Sequence, residues 1–225
     1  MKTTTSNVAT VRSWFQDLYK RREFITDKSG CQMLEVLGAT FLADEEVIFG
    51  EINQDYAQKE IEWYKSRSLN VNDIPGGPPK IWKECADSAG LINSNYGWMI
   101  WDEANYFQYE HAKIELQVNP ESRRAVMIYT RPSIWGQFNS NGMSDFICTN
   151  CVQYFIRDAK LIALVQMRSN DVIFGFKNDR VWQRHVHQKL AEDLKCEVGD
   201  MIWHVGSLHI YSRHFSLIED NKIPT

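Results

Sequence analysis

Several things are missing from this chain of 225 residues, and each absence removes a class of function. No stretch approaches the roughly 20 consecutive apolar residues of a membrane-spanning helix, and the opening MKTTTSNVATVRSW lacks the apolar core of a secretory signal. Positive charge is not in excess: the net charge is −4 and the pI about 5.9, so the basic stripe that grips a phosphate polymer is absent. Lys20-Arg21-Arg22 and Arg123-Arg124 are too short for a duplex footprint, though either suits a single phosphate. Cysteines are few, odd in number and scattered (31, 85, 148, 151 and 196). They make neither a disulfide framework nor a zinc site, because the Cys148/Cys151 pair has no second pair to complete it. These absences predict a reduced, cytoplasmic protein with no metal, no membrane contact and no direct nucleic-acid contact. Repeats, low-complexity tracts and linkers are lacking too, so a single α+β domain over 1–225 is the economical reading.

Aromatic side chains, by contrast, are plentiful. Eight Trp, nine Tyr and eleven Phe suit a sheet-rich core or a pocket that stacks flat rings. Apolar spacing predicts a helix over 8–22 behind a Ser6-Asn7 cap, and a strand over 32–41 entered through the turn Asp27-Lys28-Ser29-Gly30. An amphipathic helix over 54–67 turns Tyr56, Ile61, Trp63 and Tyr64 inward and leaves Glu60 at the border of its apolar face. The prolines and glycines of 74–79 predict an exposed loop. A helix is expected over 102–117, ending before Asn119-Pro120. Strands are expected over 125–130, 151–157 and 161–167, then a long helix over 178–194 and a closing strand over 201–211.

Four features carry chemistry, each with a plainer alternative. Cys148 stands at a loop-to-strand junction, which suits a nucleophile activated by a nearby cation and equally suits a small buried apolar residue. Arg168-Ser169 sets a guanidinium beside a hydroxyl, fit for a phosphate monoester or for an ordinary surface loop. His209 and Tyr211, two apart on a strand, share a face that makes either a pocket wall or a polar edge. Glu60 serves as a proton-transfer group or as a solvated helix border.

In order along the chain, Ile81-Trp82, Asn95-Tyr96-Gly97, Ser122-Arg123-Arg124, Cys148 with Gln153-Tyr154, Arg168-Ser169-Asn170-Asp171, Gly175 and Gly206-Ser207-Leu208-His209-Ile210-Tyr211 resemble the thymidylate synthase superfamily. The resemblance spans 27–215. Gly142-Met-Ser-Asp-Phe146 and Ile128-Tyr-Thr-Arg-Pro132 look like its phage deoxycytidylate hydroxymethylase branch, and Ile147-Cys148-Thr149 stands where the superfamily usually has Pro-Cys-His. The resemblance implies a thymidylate synthase-like fold: a central mixed β-sheet with flanking helices, one sheet face lying at a homodimer interface. It also implies that Cys148 attacks C6 of the pyrimidine and that C5 then takes a one-carbon unit from 5,10-methylenetetrahydrofolate, a co-substrate. Water addition gives 5-hydroxymethyl-dCMP and tetrahydrofolate.

By the same resemblance, Arg168, Ser169, Asn170 and Lys28 bind the nucleotide, with Arg123 and Arg124 donated across the interface. His209 and Tyr211 hold the sugar, and Trp82, Asp171 and Gly175 lie on the folate side. Glu60 orders water and manages protons, and Tyr96 helps remove the C5 proton. The implied partners are dCMP, folate and a second copy of the chain, with a nucleotide-synthesis complex as a further candidate, in the host cytoplasm if the chain is phage-encoded. Family members continue further beyond Tyr211, so either the folate site closes differently here or the chain is shortened.

Asp179 bears on the substrate. Aligned on Arg168, Asp171 and Gly175, it stands where thymidylate synthase has an asparagine, whose amide fits O4 and N3–H of uracil. Cytosine reverses that edge, and a carboxyl with one proton directed at N3 matches it. A one-residue slip would put Asn178 there instead. The alternatives are a methylase, a hydroxymethylase acting on dUMP or CMP, and a catalytically silent nucleotide-binding subunit. Retention of Cys148, Arg168, Asp171 and Glu60 together argues against the last.

Overall fold

Asn7 opens the first helix by a reciprocal cap: its side chain accepts from Thr10 N–H, while its own N–H donates to the Thr10 hydroxyl. Arg22, in the left-handed conformation, closes it. The computed structural model describes residues 4–219, so the chain ends weighed above, residues 1–3 and 220–225, lie outside the described residues. In chain order the elements are α1 (Val8–Arg21), β1 (Ile25–Thr26), β2 (Gln32–Leu42), α2 (Gln54–Ser66), α3 (Lys80–Cys85), α4 (Tyr96–Trp101) and α5 (Gln108–Val118). β3 (Val126–Ile128), α6 (Ile134–Gln137), β4 (Thr149–Arg157), β5 (Lys160–Asp171), α7 (Gly175–Leu194), β6 (Glu197–Tyr211) and α8 (Ser216–Glu219) follow. Contacts divide the chain into two units, the first made of the residues up to Ile52 and from Ile156 onward, the second of Asn53–Phe155.

The first unit is a mixed sheet with helices packed on it. β5 and β6 run parallel, from Lys160↔Glu197 to Asp171↔His209, whereas β2 pairs antiparallel with β6 and β1 antiparallel with β2. α1 packs on β2, and α7 on β5 and β6. Phe176 of α7 lies edge-on to Trp203 at 5.4 Å and tilted against Phe41 at 5.7 Å, all three fully buried. His187 ties α7 to the sheet through its Nε2, 2.6 Å from the Leu161 carbonyl.

In the second unit, β3 pairs antiparallel with β4, and α4 packs on both α2 and α5. Gly97 lets α4 reach α2: a Cβ there would stand 1.8 Å from the Tyr64 carbonyl oxygen, inside any contact distance.

The expected elements are present; besides shifted strand ends, of which the largest is β6 starting at Glu197 and not Met201, the differences that bear on the site are these. β5 continues to Asp171, so Arg168-Ser169 lies in a strand and not in a surface loop. α7 starts at Gly175, three residues before the expected Asn178. The helix expected from Asp102 begins only at Gln108, because Asp102 caps a short 3₁₀ turn and Tyr106 and Phe107 both adopt positive φ (61° and 46°), which ends that turn. The short α3 and α4 went unforeseen, being too brief to show a period.

Two consequences are measurable. Gly97→Ala should lower stability by about 3 kcal/mol or more, read as a fall in the thermal midpoint, since the clash is with backbone that cannot rotate away. His187 is an acid-labile point of the first unit: burial lowers its pKa to about 4, the Leu161 hydrogen bond opposes that, and Arg184 adds to it. The unfolded chain therefore takes up a proton before the folded chain does, and stability held above pH 6.5 is lost as pH falls toward 4, in total about 3 kcal/mol. Replacing His187 by Gln should flatten that limb of a denaturation-midpoint profile.

Candidate active site

In the second unit, α2 and α3 bring Glu60 and Trp82 together, with Tyr56 between them. Glu60 is only 5 % exposed, so the helix-border placement is corrected: the carboxylate is buried. Tyr56 Oη donates to Glu60 Oε1 at 2.6 Å, and Trp82 Nε1 donates both to that oxygen at 3.1 Å and to Tyr56 Oη at 3.0 Å. Burial raises the Glu60 pKa above the ordinary carboxylate range, and the two donors oppose the rise. Sequence reasoning missed Tyr56 as a partner, although its i, i+4 spacing from Glu60 on one helix was a usable signal.

Tyr96 opens α4, buried and stacked on Tyr64 at 5.2 Å. Asn95 before it caps the helix by accepting from Trp98 N–H, and its amide donates to the Trp63 and Ser68 carbonyls. Cys148 is half-buried immediately before β4, its thiol 3.8 Å from the Phe146 carbonyl. Three residues earlier, the buried Asp145 accepts from the Asn93 and Ser94 N–H groups, both at 2.7 Å, and from the Ser94 hydroxyl at 2.8 Å. The loop leading to the thiol is thus anchored to the segment leading into Tyr96.

Arg123 and Arg124 are exposed beside a shallow cleft of about 360 Å³ lined by Asn119, Glu121, Ser122 and the two arginines. Arg124 donates to Glu115 through Nε and Nη2 at 3.1 and 2.9 Å, and Gln153 of β4 holds the Arg123 carbonyl at 2.7 Å.

In the first unit, the parallel pairing of β5 and β6 delivers Arg168–Asp171 and Ser207–Tyr211 to the same end of the sheet, with Ser169 opposite Ser207 and Asp171 opposite His209. Carboxyl ends of neighbouring parallel strands are a favoured place for ligands. Gly206 allows the close approach: a Cβ would meet the Arg168 carbonyl at 2.8 Å. His209 and Tyr211 share a face as expected, their rings edge-on at 5.2 Å. The Tyr211 phenol is raised above its usual pKa by burial first, then by the charges of Asp27 and Asp171. Lys28 is exposed in the β1–β2 turn, which Asp27 ties by accepting from Ser29 and Cys31 N–H. Asp171 accepts from Ile173 N–H at 2.9 Å, just ahead of the half-exposed Phe174 and of Gly175.

Asp179 lies in the second turn of α7. Of the two neighbours, it is Asp179 and not Asn178 whose side chain meets Asn170, with Asn170 Nδ2 donating to Asp179 Oδ2 at 2.8 Å. Asn170 is buried and was foreseen as a nucleotide ligand; its hold on Asp179 was not foreseen.

A thymidylate synthase profile matches residues 47–222, a span drawn from both units. The chain belongs to the thymidylate synthase family. It is 56% identical over 207 residues to the deoxycytidylate 5-hydroxymethyltransferases of Enterobacteria phages T4 and T2, an overlap covering 89% of this chain and 84% of theirs. Identity with the thymidylate synthase of Vesicomyosocius okutanii is 27% over 165 residues, 71% of this chain and 61% of that one. Among solved structures, the thermostable thymidylate synthase A of Bacillus subtilis superposes with a TM-score of 0.71, covering 93% of this chain and 82% of that one at 21% identity. The thymidylate synthase-like fold, a mixed sheet with flanking helices, is the one expected from the ordered motifs. Family membership also brings folate-dependent one-carbon transfer to a pyrimidine nucleotide.

Glu60 offers a direct check on this geometry. A carboxyl with a raised native pKa stabilises the fold fully below about pH 4.3 and loses that contribution as pH rises through the native value. Glu60→Gln, which keeps an acceptor for Tyr56 and Trp82, should therefore raise the thermal midpoint by a few degrees at pH 8. The gain should vanish near pH 4, as scanning calorimetry across that range would record.

Proposed function

We propose that this chain is a deoxycytidylate 5-hydroxymethyltransferase, transferring a one-carbon unit from 5,10-methylenetetrahydrofolate to C5 of dCMP with addition of water. The single observation that carries the substrate is Asp179, a carboxyl and not an amide, held in α7 by Asn170. The 56% identity to phage enzymes of that name supports the same reading.

In this reading the chain acts as a single catalytic domain. Cys148 forms the bond to C6 and is released when the product leaves. Arg168, Ser169, Asn170 and Lys28 bind the nucleotide, and His209 and Tyr211 hold its sugar. Arg123 and Arg124 come from a second copy; Arg123 is exposed, and Arg124 is preformed by Glu115. Leu37 of β2, 73 % exposed on the sheet, supports burial of that face by the second copy. Asp171, Trp82 and Gly175 serve the folate side. The half-exposed Phe174 and the Asp171 carboxylate fit a flat, donor-rich ring, and the bound folate would supply the one-carbon unit. Glu60, its pKa raised by burial, manages protons near Trp82 and Tyr56 and orders the water that adds, while Tyr96 assists removal of the C5 proton. No helix among the described residues is long and apolar enough to cross a membrane, and we place the enzyme in the host cytoplasm.

The test is tritium release from dCMP labelled at C5, in the presence of methylenetetrahydrofolate, with the product mass checked for a hydroxymethyl group. Asp179→Asn should lower kcat/KM for dCMP by roughly a hundredfold or more and raise it for dUMP. A native protein that prefers dUMP would overturn the reading.

A further inference from the structure

Asp179 alone does not decide between the two bases. A neutral carboxyl carries one O–H and one C=O, and either oxygen can hold the proton. With the proton on the oxygen facing N3, the pair reads cytosine: O–H donates to N3 and C=O accepts from the N4 amino group. With the proton on the other oxygen, the same side chain reads uracil, donating to O4 and accepting from N3–H. Selecting cytosine therefore requires something that fixes where the proton sits.

Asn170 occupies that position. Its amide has an acceptor end and a donor end, and its neighbours determine which points where. Trp203 Nε1–H, which can only donate, lies 3.2 Å from Asn170 Oδ1. The acceptor end is thereby committed to Trp203, and the donor end faces Asp179 Oδ2 at 2.8 Å. Trp203 cannot swing aside, since it is fully buried against Phe176. Asn170 is itself only 3 % exposed, and the space it fills exists because residue 175 is glycine: a Cβ there would stand 2.9 Å from Asn170 Nδ2. The result is one polarity passed along a line, from indole N–H to amide to carboxyl. Oδ2 accepts, and a carboxyl accepts best through its C=O oxygen, so the Asn170 N–H favours a proton on Oδ1 over one on Oδ2.

We propose that Asn170, oriented by Trp203, is a positioning residue that confines the Asp179 proton to Oδ1, with Oδ2 turned to the exocyclic group of the base, and so excludes uracil. This inference rests on Asp179 as the base-reading group. A flipped amide would set Asn170 Oδ1 against Asp179 Oδ2, drawing the proton onto Oδ2 and away from N3, and would set two donors against each other at Trp203. The indole N–H penalises that flip.

The experiment compares kcat/KM for dCMP and dUMP in the intact protein and in Asn170→Ala, Trp203→Phe and Asp179→Asn. Trp203→Phe keeps a buried ring and removes the N–H together with part of the indole's volume. A purely structural role would lower both substrates together. The proposed role lowers the dCMP-to-dUMP ratio, by about tenfold or more in Asn170→Ala and by less in Trp203→Phe. If Asn170→Ala fails to fold, as circular dichroism would reveal, the ratio in Trp203→Phe decides alone. An unchanged ratio in the folded variants, with Asp179→Asn reversing the preference, overturns this inference and leaves the base-reading role of Asp179 intact. An unchanged preference in Asp179→Asn overturns that role, and this inference with it.

Discussion

The parallel ladder between β5 and β6 is the constraint on which the nucleotide half of this protein depends. It sets Ser169 opposite Ser207 and Asp171 opposite His209, so two polar runs far apart in sequence finish at one end of a sheet. The same ladder fixes Asn170 in strand geometry, one face of which is the core. A buried polar side chain in such a place must find partners, and Asn170 finds them in Trp203 and Asp179. α7 is tied down in turn, by His187 on Leu161 and by Lys177 on the Glu51 carbonyl. Had β5 ended at Met167, as its apolar residues suggested, none of these partners would have a defined position.

The second unit solves a different problem, that of keeping carboxyl groups inside. Glu60 and Asp145 are both buried, yet their surroundings differ in kind. Asp145 is surrounded by short, directed N–H and O–H donors from Asn93 and Ser94, the arrangement that satisfies a carboxylate and fixes a loop. Glu60 receives a phenol and an indole, donors too few to offset its burial, and its pKa rises. One group is spent on architecture, and the other is left able to exchange a proton.

Much of this was legible in the sequence, and the remainder has physical reasons for being hidden. The long helices and strands announced themselves by period, and the family by ordered motifs that no periodicity explains. Glu60 looked like a border residue because its own helix is polar on one side; its burial comes from Trp82, 22 positions away on a helix too short to show a period. Arg168-Ser169 looked like a loop because the polar run from Arg168 to Asp171 carries no strand alternation, and it is the ladder to β6 that makes it a strand. The Asn170–Trp203 contact joins residues 33 apart and could not be read from either neighbourhood. The break at Tyr106-Phe107 was equally hidden, since neither residue type favours positive φ.

An amide and a carboxyl at the base-reading position are not symmetrical solutions. An asparagine has its donor and acceptor fixed by covalent structure, so once its orientation is set it can read uracil without further help. An aspartic acid has identical oxygens, and its polarity is borrowed from whatever contacts it. Exchanging one residue for the other changes the possible readings from one to two, and specificity then has to be supplied by a neighbour. It follows that a carboxyl at this position makes sense only in company: with a donor on one oxygen, with something holding that donor in a single sense, and with the space to put it there. Asp179, Asn170, Trp203 and Gly175 are that company, and the substrate preference belongs to the four together.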